Sequence, residues 1–276
     1  MTVMTRRESY NVKVRDLNVS YYDEGDGPVL LLIHGFTGGK LDFHDQMSWF
    51  TDRFRVVAPD NRGHGETSNP GEGYEIDNMV ADLHGFIEAL NLSDVHLLGH
   101  SLGGMIAMRY AIAHPDELAS LILMDTASMP LDMPRDYFDI MEKTLRENGA
   151  ETLVAMMKKA PKTQEVQNGI DFLGQDEHWS RISEKLNQMD PTAYASLGRE
   201  LADLPDITDQ LAAISCPATI MVGVADAPFL GPSDAMHAAI IQSELEIIDD
   251  ASHCPQYENA QVWKQVINRH LQRALS

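Results

Sequence analysis

The stretch Val95–Tyr110, V-H-L-L-G-H-S-L-G-G-M-I-A-M-R-Y, places the strongest constraint on the fold. An apolar run reaches Gly99-His100-Ser101-Leu102-Gly103 and passes at once into a helical pattern from Gly104 to His114. A strand that turns sharply into a helix needs small residues two places either side of the turning residue, because the two backbones approach closely there. A serine at that turn is lifted out of the sheet. It also stands at a helix N-terminus, whose partial positive charge favours developing negative charge. The pentapeptide G-x-S-x-G is common by itself. The buried-strand run before it and the Ala/Met-rich helix after it make Ser101 a candidate nucleophile.

The rest of the chain repeats the strand–helix alternation. Tyr10–Val14 and Leu17–Tyr22 alternate polar and apolar residues about a tight turn and predict an antiparallel hairpin. Val29–Ile33, V-L-L-L-I, is continuously apolar, the pattern of a parallel strand buried on both faces. A glycine-rich loop follows, His34-Gly35-Phe36-Thr37-Gly38-Gly39. The spacing then predicts a helix over Leu41–Arg53, a strand over Arg55–Ala58, a loop Asp60–Ser68 and a helix over Ile76–Leu90. Strands at Val95–Leu98 and Leu118–Met124 complete this half. From about Ala127 to Asp206 only helical patterns occur, among them Tyr137–Arg146, Thr152–Lys159, Trp179–Met189 and Ala193–Leu201, with Asp190-Pro191 reading as a helix start. The alternation resumes with Ala218–Val224, Ser233–Ile241, Leu245–Ile248 and Gln256–Leu271. The expected architecture is α/β: a mostly parallel sheet with helices on both faces, an antiparallel edge, and an all-helical cap inserted after the sixth strand. The expected division is a core of residues 1–126 and 207–276 and a cap of residues 127–206.

Composition narrows the partners. The chain has 276 residues, enough for one domain with an insertion, and a formal net charge of −21. Such an acidic surface opposes binding to nucleic acid, whose phosphates need Lys and Arg, and to anionic membranes. No run of ~18 apolar residues predicts a membrane span. Two cysteines, Cys216 and Cys254, are no disulfide framework, and the first residues lack an apolar signal segment, so a cytoplasmic location is expected. Neither H-E-x-x-H nor paired C-x-x-C is present, and Gly38-Gly39-Lys40 lacks the spacing of a phosphate loop; no metal or cofactor is expected. Monomer and small homo-oligomer both stay open.

A serine hydroxyl is a weak nucleophile at neutral pH and needs a general base, which in turn needs an orienting acid. In a parallel sheet such groups gather at the carboxyl ends of the strands. His253 lies just past Leu245–Ile248, in a loop before the last helix, whereas His237 and His270 fall inside helical patterns. Asp226 follows Ala218–Val224, and the order Ser, Asp, His is that of hydrolases with a nucleophile elbow. Asp125, after Leu118–Met124, is a rival acid. An oxyanion needs two aimed N–H groups. Leu102, after the serine, and Phe36, in the glycine-rich loop, are the candidates.

These motifs resemble, in order, those of the α/β-hydrolase superfamily: His34-Gly35, Asp60-x-Arg62-Gly63-His64-Gly65-x-x-Ser68, Gly99-x-Ser101-x-Gly103-Gly104, Asp226 and Ala251-x-His253. The resemblance covers nearly all of the chain except the cap. It implies an eight-stranded sheet, a triad of Ser101, Asp226 and His253, and an oxyanion hole from Phe36 and Leu102. Many members have glycine where Ser252 stands. Serine at 101 speaks against epoxide hydrolases and haloalkane dehalogenases, which carry aspartate there. Arg62 and His64 belong to a loop that is more often structural than catalytic in this superfamily. The resemblance leads to a serine hydrolase acting on small or medium acyl esters or lactones. A carbon–carbon hydrolase or lyase on the same triad is the second reading; it requires basic groups such as Arg62, Arg109 or a cap arginine to hold a substrate carboxylate. A receptor-like binding module with slow turnover is the third. Met129, Met133, Met141, Met156, Met157 and Met189, with Tyr137, Phe138, Phe172 and Tyr194, are candidates to pack the cap or line its pocket.

Overall fold

The computed structural model describes residues 7–131 and 135–276. Met133 therefore lies outside the described residues, as does the side chain of Tyr137. Eight strands form one sheet: β1 (Tyr10–Val14), β2 (Leu17–Glu24), β3 (Val29–Ile33), β4 (Arg55–Pro59), β5 (Val95–His100), β6 (Leu118–Met124), β7 (Ala218–Gly223) and β8 (Ser243–Ile248). Their spatial order is β1-β2-β4-β3-β5-β6-β7-β8. β1 pairs antiparallel with β2, and β2 antiparallel with β4; every pairing from β4 to β8 is parallel.

The apolar runs account for this directly. Side chains alternate across a strand, so a run of five apolar residues feeds two cores at once. Val29, Leu31 and Ile33 enter the core on one face, with Leu97, Leu121 and Leu123. Leu30 and Leu32 enter the core on the other, with Leu98, Ile122 and Met124. The first core is covered by α1 (Ile76–Ala89), α2 (Leu102–Ala113) and α8 (Ala227–Ala239). The second is covered by α10 (Ala260–Ala274), through Trp263, Val266, Ile267 and Leu271, and by Phe43, Met47 and Phe50.

Five helices lie in sequence between β6 and β7: α3 (Arg135–Asn148), α4 (Ala150–Lys159), α5 (Gln164–Leu173), α6 (Gln175–Gln188) and α7 (Pro191–Asp203). The Asp190 carboxylate caps α7 by accepting from Thr192 N–H at 2.7 Å, with Pro191 in its first turn. Phe138, Met141, Met189 and Tyr194 are buried in the packing of these helices, whereas Met156, Met157 and Phe172 are exposed. Gly198 has no side chain to occupy the place where the Phe138 ring lies; a Cβ there would stand 2.1 Å from that ring.

Three sequence expectations are corrected. Leu41–Arg53 is not one α-helix but two single-turn 3-10 pieces, Lys40–Phe43 and Met47–Trp49. The Asp42 carbonyl, which an α-helix would offer to the Gln46 N–H, accepts the Tyr257 hydroxyl at 2.6 Å, and Gln46 N–H turns instead to the Phe43 carbonyl at 3.1 Å. The last helical stretch is split into α9 (Pro255–Glu258) and α10, because the Asn259 side chain caps the second segment at Val262 N–H. α8 also starts earlier than expected, at Ala227, despite Pro228 and Pro232 within it.

Candidate active site

Ser101 joins β5 to α2 at φ 52° and ψ −116°, a left-handed conformation that costs a residue with a Cβ of the order of ~1–3 kcal/mol. The surroundings hold it there. Its N–H donates to the Met124 carbonyl at 2.9 Å, and its carbonyl accepts the Thr126 hydroxyl at 2.7 Å. The glycines have the steric role the pattern implied. A Cβ on Gly99 would stand 2.3 Å from the Gly103 carbonyl oxygen, and one on Gly103 would stand 2.3 Å from that of Ile33. A Cβ on Gly35 would lie 3.0 Å from the Ser101 Cβ, so the loop after β3 runs directly over the serine. That loop carries Phe36. Among the described residues neither the Phe36 nor the Leu102 N–H has a backbone acceptor.

His34 shapes the loop. One ring nitrogen is 2.8 Å from the Gly35 carbonyl, and the other accepts the Asn61 N–H at 2.9 Å, which fixes a neutral tautomer. Buried Lys40 ties the same loop to the segment after β4, donating to Asp60 at 2.5 Å, Glu66 at 2.8 Å and Ser20 at 3.1 Å.

Asp226 follows β7 and is nearly fully buried at the head of α8. Its Oδ2 is 2.8 Å from His253 Nδ1, so the imidazole presents Nδ1–H to the carboxylate. The His253 ring packs beside Phe229, with centroids 4.9 Å apart, and beside His100 at 5.0 Å. Its backbone is held from three sides. The His100 Nε2–H donates to the His253 carbonyl at 2.7 Å. The Glu258 carboxylate accepts the N–H groups of Ser252, at 2.7 Å, and Cys254, at 3.0 Å, one on each side of His253. Residue 223 must be glycine for the loop to sit this low, since a Cβ there would lie 2.1 Å from the Ser252 carbonyl oxygen. Thus Asp226 and His253 are in hydrogen-bond contact, and His253 is tied to the residue preceding Ser101. No hydrogen bond joins the Ser101 hydroxyl to the imidazole among the described residues.

His100 and Glu258 are the residues the sequence reading missed. His100 stands inside the serine motif, but nothing in that motif marks it as the donor that holds the His253 loop. Nothing in the local sequence marks Glu258, whose role exists only once α9 folds back on the His253 loop.

Electrostatics separates the histidines. Burial pushes His34 down to about 4 and His64 and His100 down to about 3, so these rings are neutral. Burial also pulls on His253, but the hydrogen bond and charge of Asp226, helped by Glu165 and Glu258, more than offset it and raise that ring above its ordinary 6.5. Of these four rings only that of His253 is hydrogen-bonded to a carboxylate; around the others the charges of Asp42, Asp60 and Asp226 do not offset burial. Asp125, the rival acid, is fully buried beside the same pair; donor atoms of Asp125, Asp226 and His253 lie within 4.8 Å of one another.

The cations named from the sequence are committed elsewhere. Arg62 pairs with Asp82 at 2.7 Å and Asp16 at 2.8 Å. Arg181 pairs with Asp45 at 2.6 Å, and Arg109 donates to the Met105 carbonyl of its own helix at 3.1 Å. A second donor cluster, His84, His114 and Glu117, lies away from the serine. The two imidazoles stack 4.2 Å apart at 15°, so their in-plane lone pairs run side by side instead of converging on one ion. Above Phe36, the rings of Tyr194 and Phe138, from the inserted helices, approach to centroid distances of 5.0 and 6.0 Å. Among the described residues no helix is long and apolar enough to cross a membrane.

A parallel sheet of this order, with a serine at a strained strand–helix turn and a carboxylate–imidazole pair after the last two strands, defines a hydrolase architecture. The sequence model of the α/β hydrolase fold matches residues 28–260, and the chain belongs to that family. Among solved structures it is similar to a thermophilic esterase from Thermogutta terrifontis, studied with malate bound. That likeness has a TM-score of 0.82 and 28% identity over 98% of this chain and 100% of the other. Among curated proteins it is 26% identical to 3-oxoadipate enol-lactonase 2 of Acinetobacter baylyi, over 93% of each chain. It is also 26% identical to a putative 2-succinyl-6-hydroxy-2,4-cyclohexadiene-1-carboxylate synthase of Bacillus subtilis, over 95% of this chain and 97% of that one.

Proposed function

We propose that this α/β hydrolase is a serine carboxylic-ester hydrolase acting through an acyl-enzyme. The observation that carries the reading is the 2.8 Å contact between Asp226 and His253, in a loop bonded to the residue before Ser101. Ser101 Oγ attacks the ester carbonyl carbon as His253 Nε2 takes its proton. The N–H groups of Phe36 and Leu102 hold the resulting oxyanion, and the positive end of α2 adds to that stabilisation. His253 then gives its proton to the departing alcohol oxygen. A water attacks the acyl carbon, losing its proton to His253, and Ser101 leaves with that proton. Asp226 keeps Nε2 directed at the reacting atoms and balances the transient imidazolium.

The helices of residues 127–206 act as the cap in this reading, on a core of residues 1–126 and 207–276. Phe138 and Tyr194 place aromatic surface over Phe36, which suits small or medium acyl groups and lactones. The substrate is a small molecule. The protein works in the cytoplasm as a monomer or small homo-oligomer, without metal or cofactor, and the net charge of −21 disfavours nucleic acid and anionic membranes. A carbon–carbon bond hydrolase or lyase acting on a diketone or related acidic metabolite is the second reading, and the Bacillus relative, named as the synthase of a carboxylate, keeps an acidic metabolite in view. Against it stand the ion pairs of Arg62 and Arg181, which leave neither guanidinium open to a substrate carboxylate. A panel of p-nitrophenyl esters of graded acyl length, run beside an acidic diketone, tests the choice. The expected result is turnover of short esters that falls at least about 10³-fold in Ser101→Ala with the melting temperature kept. Unchanged ester cleavage in that variant refutes the assignment. Tight ligand binding with negligible turnover would point instead to a receptor-like module.

A further inference from the structure

Asp125 lies at the end of β6, with φ 45° and no solvent exposure. Its Oδ1 accepts the Gly223 N–H at 2.9 Å, while its Oδ2 is buried with no partner. A buried carboxylate oxygen left without a donor is costly, and a second negative charge close to Asp226 adds repulsion. The charges that press hardest on Asp125 from the neighbouring segments are those of Asp226 and Glu258, both negative, and the His253 ring beside them is a cation only when protonated. The donor atoms of Asp125, Asp226 and His253 nonetheless lie within 4.8 Å of one another. Asp226 has given Oδ2 to the imidazole, which leaves Oδ1 to accept a further bond.

We propose that Asp125 stands as a neutral carboxylic acid whose Oδ2–H donates to Asp226, so that two carboxyl groups share one negative charge behind His253. One proton removes both difficulties. It converts the orphan acceptor into a donor, and it gives Asp226 a fixed partner on the side away from the imidazole. Burial pushes the Asp125 carboxyl well above its usual range, and the Asp226 charge adds to the effect. Asp125 touches no reacting atom; it is a positioning residue that sets the plane of the Asp226 carboxylate and through it the imidazole. A second carboxylate would favour the protonated form of His253 further, and a neutral acid avoids that.

The kinetic test rests on the hydrolase reading above; the spectroscopic test does not. Asp125→Asn keeps the acceptor for Gly223 and places an N–H where the O–H stood, whereas Asp125→Ala removes both. In the infrared difference spectrum between Asp125→Asn and the parent at neutral pH, a protonated-carboxyl C=O band is lost in the variant. Absence of that band overturns the proposal whether or not the protein hydrolyses esters. With a p-nitrophenyl ester, Asp125→Ala lowers kcat about tenfold or more with KM within about twofold, and Asp125→Asn recovers most of the loss. The acid limb of kcat/KM in Asp125→Asn stays at the parent's pH. A limb displaced downward by about one pH unit would mean that a negative charge had been removed, and would overturn the proposal. Melting temperatures of both variants separate these effects from unfolding: an Asp125→Ala loss that tracks unfolding, with Asp125→Asn equally impaired while folded, also counts against it.

Discussion

Burial alone would leave the His253 ring a poor proton acceptor, and the Asp226 carboxylate reverses that. The sign for catalysis follows. On the proposed mechanism the base must be neutral to take the serine proton, and Asp226 stabilises the charged form, so activity should rise with pH through a value above 6.5. The pH profile of kcat/KM should show its acid limb there; a limb well below 6.5 would assign the base to another group. Asp226→Asn should reduce kcat by about 10³–10⁴-fold with little change in KM, because the wrong tautomer is held beside the serine. A loss under tenfold would move the orienting role to another acid. At this scale the sequence was informative about residue types at strand ends. It placed Asp226 ahead of Asp125, but both follow a buried strand, and only the folded chain shows which one meets the imidazole. Glu258 was beyond reach for a similar reason: its two N–H partners are specified by a loop conformation, not by spacing.

At the level of elements, the turn from β5 to α2 depends on how near two backbones can come. Gly103 faces the carbonyls of Ile33 and His34, at 2.3 and 2.6 Å from the position a Cβ would take. Those atoms are backbone at the end of the central strand β3 and the first residue after it, and cannot move aside without shifting the strand. Gly103→Ala should therefore cost about 1–3 kcal/mol or more and depress the melting temperature by several degrees. Gly231→Ala is the comparison, for nothing lies within 4 Å of its Cβ position on the exposed side of α8, and that variant should hold its melting temperature. Equal behaviour of the two would mean that the close approach is relieved by a backbone shift. Strands were the most legible elements because burial on both faces writes an uninterrupted apolar run. Residues 41–53 were misread because Phe43, Met47 and Phe50 keep helical spacing while a tertiary hydroxyl, that of Tyr257, takes the carbonyl an α-helix needs.

For the whole molecule, the neutral histidines set a pH response. His34 protonates near 4 in the folded chain, and His64, His100 and His270 near 3, against an ordinary value of 6.5. Between those values the unfolded chain binds more protons than the folded one, so stability falls as pH drops below about 6.5. His253 works in the opposite sense: its contribution is complete below 6.5 and is lost as pH rises through its higher folded value. His44, His96 and His178 are shifted down as well, so seven histidines stand against His253 and the raised carboxyls of Asp125, Glu200 and Glu258, and acid destabilisation dominates, at about 1.4 kcal/mol per group per pH unit at most. Thermal melts from about pH 7.5 to about pH 5 should show a steady fall that begins before the carboxylates titrate; a flat profile over that range would contradict the assignment of neutral rings.

The topology has a consequence for the making of the protein. Ser101 follows the fifth strand, whereas Asp226 and His253 follow the seventh and eighth, with α10 after them. On the mechanism proposed, a polypeptide leaving the ribosome exposes its serine some 150 residues before the ring that would activate it. On that mechanism the hydroxyl would stay inert until the loop after the eighth strand had been made and folded against it.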